Sequence, residues 1–224
     1  MRFEMDAILF DIDGTLVDST AAVERIWGTW ADAHNLDVRE ILRICHGRRN
    51  EDTIALLLPE QQRPTAVAEL ERLELDDLAE VVALPGARAL LAGLPTDRWA
   101  AVTSGSRALM RARLGVAGLP VPAVLVAAED VTRGKPDPEG YRAAAAALGK
   151  DVRRCLVVED APAGIAAGQA AGAPVLAVAT SHDPSALEMA DAVVPDLTTC
   201  RIECTTSGLT FSIARTARGG ESVP

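Results

Sequence analysis

Short uncharged apolar runs recur along this chain, separated by stretches of helical character, and that alternation restricts the fold more than any other feature. Ala7-Ile8-Leu9-Phe10, Trp99-Ala100-Ala101-Val102, Ala123-Val124-Leu125-Val126, Cys155-Leu156-Val157-Val158 and Val175-Leu176-Ala177-Val178 have no polar face. That is the pattern of strands buried on both sides of a parallel sheet. Residues 106–114, 138–148 and 162–171 read as the intervening helices, and 191–194 offers one more strand. Strand and helix in alternation predict an α/β fold with a doubly wound parallel sheet. Hydrophobic residues make up 49% of the chain but aromatics only 3%, so the core must be built from Ala, Val and Leu. Such a core suits helices packed on a sheet.

The interval between the first and second apolar runs is different. Residues 19–35 form an amphipathic pattern with Val23, Ile26, Trp27 and Trp30 on one side, and 38–45, 50–58 and 64–80 continue in helical character. In the last of these, Leu70 with Leu73 and Leu75 with Leu78 have i, i+3 spacing. Nothing between Val17 and Val82 reads as a strand, so an all-helical insertion is expected there. Pro85-Gly86 marks the return, followed by a helix to Gly93. The expected partition is a core of residues 1–16 and 84–198, a helical lobe of 17–83, and a tail of 199–224. In that tail a hairpin is expected around Ser207-Gly208, with disorder over 215–224. A chain of 224 residues can bury one good core plus a small second lobe.

The formal net charge of -10 argues against nucleic acid as a partner, since backbone-phosphate binding needs clustered Lys and Arg. It also means that an anionic substrate must be held by a locally positive site. MRFEMDAI carries acidic residues and no sustained apolar segment, so no secretory signal is expected, and no uncharged stretch is long enough to cross a membrane. A soluble cytoplasmic protein is the expectation. Cys45, Cys155, Cys200 and Cys204 are scattered, without CxxC pairs, and read as reduced thiols rather than a zinc site.

Two carboxylates, Asp11 and Asp13, emerge where the first buried strand ends. Strand ends in open α/β sheets are where ligands bind, and unpaired buried carboxylates are costly. An Asp13-Gly14 turn with Thr15 capping a helix accounts for a lone Asp-Gly, but not for the longer string DxDGTLVDS. That string resembles the first motif of the haloacid dehalogenase-like hydrolase superfamily. Three further motif-like pieces follow in order: Val102-Thr103-Ser104-Gly105-Ser106, Arg133-Gly134-Lys135-Pro136-Asp137-Pro138, and Val157-Val158-Glu159-Asp160-Ala161-Pro162-Ala163-Gly164. The resemblance runs to about Asp196 and is nearest to sugar-phosphate phosphatases with a helical cap, relatives of β-phosphoglucomutase.

The resemblance implies an aspartyl-phosphate on Asp11, with Asp13 protonating the leaving alcohol and then deprotonating the hydrolytic water. It makes Ser104, with Gly105, a binder of phosphoryl oxygens, and Lys135 a partner of both the phosphoryl group and Asp11. Ser104 or Ser106 as a helix N-cap is compatible with that role. Asp160 would hold Mg²⁺ beside the Asp11 carboxylate and the Asp13 carbonyl, with Glu159 binding directly or through water. In the inserted lobe, Arg48 and Arg49 of the stretch His46 to Asp52 either help bind a small polyol ester or form a solvated turn. His46 by itself reads as a surface histidine. Where the mutases carry a His on the first cap helix, this chain has Val23, which favours water as the acceptor and so a phosphatase over a mutase. A non-enzymatic receiver-like phospho-acceptor is a third reading, disfavoured by the insertion and by Asp13. The expected substrate is a small phosphorylated sugar or polyol, with oligomeric state open.

Overall fold

The computed structural model describes residues 1–205 and 208–214. Its centre is a six-stranded parallel sheet in the order β6-β5-β2-β7-β8-β9: Leu125–Val126, Trp99–Val102, Ala7–Phe10, Cys155–Glu159, Val175–Val178 and Ala192–Val194. The doubly wound parallel sheet expected from the apolar runs is the fold observed. β2 buries all four of its residues, and alternate side chains enter different cores. Ile8 and Phe10 pack on one face with Trp99, Leu156 and Val158, while Ala7 and Leu9 pack on the other with Val102 and Val157. That second face is covered by α7 (Glu139–Ala147) and α8 (Pro162–Ala171), whose Ala144, Ala145 and Ala167 let the helices approach closely.

After β2 the chain leaves through β3 (Val17–Asp18) into α1 (Thr20–His34), α2 (Val38–Cys45), α3 (Asn50–Leu57) and α4 (Arg63–Asp76), and returns through β4 (Val82–Ala83). β3 and β4 pair antiparallel, Val17 with Ala83 and Asp18 with Val82, as a short two-stranded stem. Within the helical segment Trp27 and Trp30 meet edge to face at 5.3 Å, and Trp30 Nε1 donates to Ala66 O at 3.0 Å, tying α1 to α4. α5 (Ala87–Ala92) and α6 (Arg107–Val116) complete the layer on this face of the sheet.

The structure adds a strand that the pattern reading lacked. β1 (Arg2–Met5) pairs antiparallel with β11 (Leu209–Ile213), and β10 (Cys200–Cys204) pairs antiparallel with β11 on its far side, in the stretch where a hairpin is expected, so that the three strands form a separate sheet. β1 is exposed at alternate positions and reads as strand only once β11, two hundred residues away, is beside it. The helix expected over 64–80 stops at Asp76, and the strand expected over 123–126 shortens to Leu125–Val126. Ser207 and the tail 215–224 lie outside the described residues. Among the described residues no helix is long and apolar enough to cross a membrane.

Candidate active site

β2 ends at Phe10, and the next residue, Asp11, stays in line because its backbone N–H donates to Val158 O at 2.9 Å. β5 and β7 flank β2 with Ala101 and Val158 in register with Phe10, so their C-terminal ends open at the same edge of the sheet. This brings Asp11, Glu159 and Asp160 together, all buried, with ligand atoms from each within 4.8 Å of one another. Lys135 reaches the same point from the loop between β6 and α7. Its ammonium donates to Asp11 Oδ1 and to Val102 O at 3.3 Å, and lies 2.6 Å from Glu159 Oε1.

Each carboxylate is fixed by its own partners. Tyr141 on α7, the only tyrosine in the chain, donates its hydroxyl to Glu159 Oε1 at 2.6 Å. Glu159 Oε2 accepts from the backbone N–H groups of Asp160 at 3.1 Å and Ala161 at 3.4 Å. Asp160 accepts from the Ser181 hydroxyl and, at 3.5 Å, from Thr15. Two glycines make this packing feasible. Gly14 has φ +81°, and a Cβ there would stand 2.0 Å from Asp160 Oδ2; a Cβ on Gly164 would stand 1.8 Å from Glu159 Oε1.

One ammonium therefore faces three buried carboxylates. Burial disfavours the charge on Lys135, but Asp11 and Glu159 outweigh that and hold it above the usual lysine range. Burial pushes Asp11 well above the usual carboxylate range against the pull of Lys135, and Glu159 and Asp160 push it further. Burial, then repulsion from Glu159, pushes Asp160 up to about 7. Holding all three ionised needs more positive charge than Lys135 supplies, and clustered hard carboxylate oxygens suit a divalent cation. The donor set fits one, with Asp160 and Asp11 as its carboxylates. Glu159 already spends both oxygens on Lys135, Tyr141 and backbone N–H groups.

Beside this cluster lies a solvent-open cleft of about 730 Å³ between the sheet edge and the helical segment. Asp13 lines it, its carboxylate accepting from the Ser19 hydroxyl at 2.8 Å and from Arg113 Nη1 at 2.7 Å. Ser104 and Gly105 line it from the end of β5, and the Ser104 hydroxyl donates to Gly47 O at 2.8 Å, so core and insertion touch there. The N-cap of α6 is Ser106, whose hydroxyl accepts from Leu109 N at 3.3 Å. Arg48 also lines the cleft, but Arg49 does not: it pairs with Asp52 at 2.8 Å and donates to Val131 O at 3.2 Å. His46 and Val23 line the cleft. His46 is exposed, as expected of a surface histidine, but desolvation by the cleft walls, then the nearby His182, lowers its pKa.

Several groups at the site were not singled out from sequence. Arg113 falls at an i+4 position from Leu109 on the buried stripe of α6, and Glu74 at i+4 from Leu70 on the buried stripe of α4. A charge inside an apolar stripe was the available signal for both. Tyr141 and Ser181 gave none, and Ser19 stood only as the last residue of the first motif string.

At the C-terminal edge of the parallel sheet, the carboxylate that follows β2, the buried lysine against it and the acidic pair at the end of the neighbouring β7 thus form one charged cluster. The family model for haloacid dehalogenase-like hydrolases matches residues 5–172, and the chain belongs to that family. It is 46% identical over 197 residues to hexitol phosphatase A of Escherichia coli (strain K12), covering 84% of this chain and 90% of that protein. It is 36% identical over 221 residues to 2-deoxyglucose-6-phosphate phosphatase 2 of Saccharomyces cerevisiae, covering 88% and 90%. Among solved structures, a hydrolase from Pseudomonas syringae superposes with a TM-score of 0.79 at 27% identity, covering 86% of this chain and 94% of that one.

Proposed function

We propose that the chain is a Mg²⁺-dependent phosphatase of small sugar or polyol phosphate monoesters, working through an aspartyl-phosphate on Asp11. The observation that carries this reading is the buried contact of the Lys135 ammonium with Asp11, which lines the cleft, beside the Glu159 and Asp160 carboxylates. Sugar and polyol phosphatases among the relatives support the substrate class.

An oxygen of Asp11 bonds to phosphorus as the ester P–O bond breaks, and the leaving alkoxide takes its proton from Asp13. Water then gives a proton to Asp13 and attacks phosphorus, the P–O bond to Asp11 breaks, and phosphate leaves. Lys135 offsets the repulsion between the Asp11 carboxylate and the anionic ester. Glu159, held by Tyr141, orients Lys135. Ser104, Gly105 and Arg48 bind the phosphoryl oxygens and the leaving group from the two sides of the cleft. Asp160, Asp11 and the Asp13 carbonyl would hold Mg²⁺, which would supply positive charge beside the phosphoryl oxygens. Arg49, engaged by Asp52 and Val131, holds the insertion against the core. Val23 presents an apolar group to the cleft where a mutase would need one to activate a sugar hydroxyl, so hydrolysis is preferred over transfer to a second hydroxyl.

The test is turnover of a panel of sugar and polyol phosphates. Asp11→Asn should lower kcat by at least about a thousandfold, as expected when a nucleophile is removed, and chelation of Mg²⁺ should abolish turnover reversibly. An Asn variant with full activity, or isomerisation of a hexose 1-phosphate in place of phosphate release, overturns the reading.

A further inference from the structure

Opposite Asp13, the cleft wall is made by a buried polar group that the proposed chemistry does not use. Arg113 has a side chain only 3% exposed, and just one of its nitrogens, Nη1, is hydrogen-bonded, to Asp13. Its Nε and Nη2 have no hydrogen-bond partner among the described residues. Glu74, on α4 of the insertion, stands with Oε1 3.9 Å from Arg113 Nη2, outside hydrogen-bond reach. Its other oxygen is anchored, since Asn50 Nδ2 donates to Glu74 Oε2 at 2.7 Å. All three residues line the cleft.

Arg113 Nη2 is a buried donor without an acceptor, and its ion-pair partner Glu74 Oε1 stands too far to accept its hydrogen bond, a costly arrangement in an empty protein. The gap is too wide for a direct hydrogen bond, yet an oxygen placed beside it can lie within hydrogen-bond distance of both atoms. A hydroxyl has the required character, because it accepts from one group while donating to the other. A phosphate oxygen would meet the Glu74 carboxylate as a like charge, and a methylene would leave both groups unpaired. The subsite therefore reads a neutral hydroxyl. Its place along the substrate follows from Arg113 itself: Nη1 holds Asp13, the group that serves the leaving oxygen, and Nη2 belongs to the same rigid fork.

We propose that Glu74, Arg113 and Asn50 form a subsite that selects leaving alcohols carrying a hydroxyl on the carbon next to the one bearing the phosphate. The proposal rests on the phosphatase reading above and narrows its substrates to vicinally hydroxylated monoesters. Arg113 accordingly has two tasks, orienting Asp13 and donating to the substrate. Glu74 completes the subsite only when the insertion lies against the core, so the hydroxyl also bridges the two parts of the protein.

The experiment is a cycle that removes the hydroxyl from the substrate and the carboxylate from the enzyme. The probes are sorbitol 6-phosphate and its 5-deoxy analogue, with phenyl phosphate as an ester lacking hydroxyls. In the wild type, kcat/KM should be about tenfold to a hundredfold lower for the deoxy analogue, the range of one hydrogen bond to a charged group. Glu74→Ala should shrink that ratio to within about twofold, and Glu74→Gln, which keeps an acceptor, should restore part of it. If Glu74→Ala does not fold, Asn50→Ala, which unanchors Glu74 but keeps its charge, should lower the ratio at least about threefold. Equal wild-type rates on the two sorbitol esters, an unchanged ratio in the variants, or equal losses on both esters would overturn the subsite. Wild-type protein that turns over none of the three probes would instead overturn the phosphatase reading.

Discussion

Gly164 sits in the first turn of α8 directly beside the Glu159 carboxylate, and replacing it by Ala tests whether that carboxylate matters to Lys135. The added Cβ would stand 1.8 Å from Glu159 Oε1 and 1.9 Å from Cδ. Because real Cβ contacts essentially never fall below 3.0 Å, the carboxyl group must retreat by more than about an ångström. The same Oε1 holds the Tyr141 hydroxyl at 2.6 Å and the Lys135 ammonium at 2.6 Å, and a retreat of that size breaks at least one of these contacts. Losing one hydrogen bond to a charged group costs about 1.5–3 kcal/mol and the overpacking about 1–3 more. At roughly 2–4 °C per kcal/mol for a chain of this size, the melting temperature should fall by at least about 5 °C. With Lys135 displaced by a similar distance, kcat should fall about a hundredfold. The assay pairs a thermal melt with phosphate release, and Gly115→Ala on α6 is the control, since a Cβ there meets nothing within 4 Å. That control should be neutral or stabilised by up to about 1 kcal/mol. A Gly164→Ala protein with wild-type melting and turnover would refute the view that Glu159 orients Lys135.

Two further outcomes follow from burial. Burial pushes Glu74 up to about 7 from 4.5, with Arg113 and Asn50 pulling it back and Asp13 and Glu71 opposing them. A raised folded-state pKa means the folded protein holds this proton more tightly than the unfolded chain, so stability is lost as pH rises from about 4.5 through about 7. Glu74→Gln mimics the protonated form and removes that loss. Denaturant titrations should show it gaining up to about 3 kcal/mol on the wild type between pH 5 and pH 8, and no pH dependence of the difference would refute the penalty. Burial likewise pushes Cys45 and Cys155 up to about 12 and Cys200 up to about 11, whereas Cys204 is exposed. At pH 8 one thiol should react quickly with an aromatic disulfide reagent and all four only after denaturation; two or more fast thiols in the native protein would contradict this packing.

The central sheet was readable because its strands bury both faces: Leu9 and Phe10 need apolar surroundings on opposite sides, so no polar residue interrupts the run. The edges of the fold were not readable in this way. Phe3 becomes part of a strand only by lying opposite Phe211, and Val17 by lying opposite Ala83, partners set by the finished topology. The same division holds at the site. Asp11 and Asp160 stand out because a strand end delivers them to the ligand edge, and the spacing along the chain already contains that fact. Whether Glu159 binds a metal directly or through water was left open, and nothing in the sequence signalled that Tyr141 of α7 and Lys135 share its Oε1. Arg49 beside Arg48 illustrates the limit most simply. Neighbours on the chain, they diverge because Asp52, one helical turn ahead, captures Arg49.

The β1–β11 pairing has an architectural result. Ile213 N–H donates to Met1 O at 3.0 Å, so the backbone at the two extremes of the described chain is joined by a hydrogen bond and the path through the fold is almost a loop. β1 leads into the N-terminal end of β2, whereas Asp11 follows its C-terminal end, so this closure lies across the sheet from the chemistry. The β1–β11 pairing and the reacting groups thus stand at opposite ends of β2.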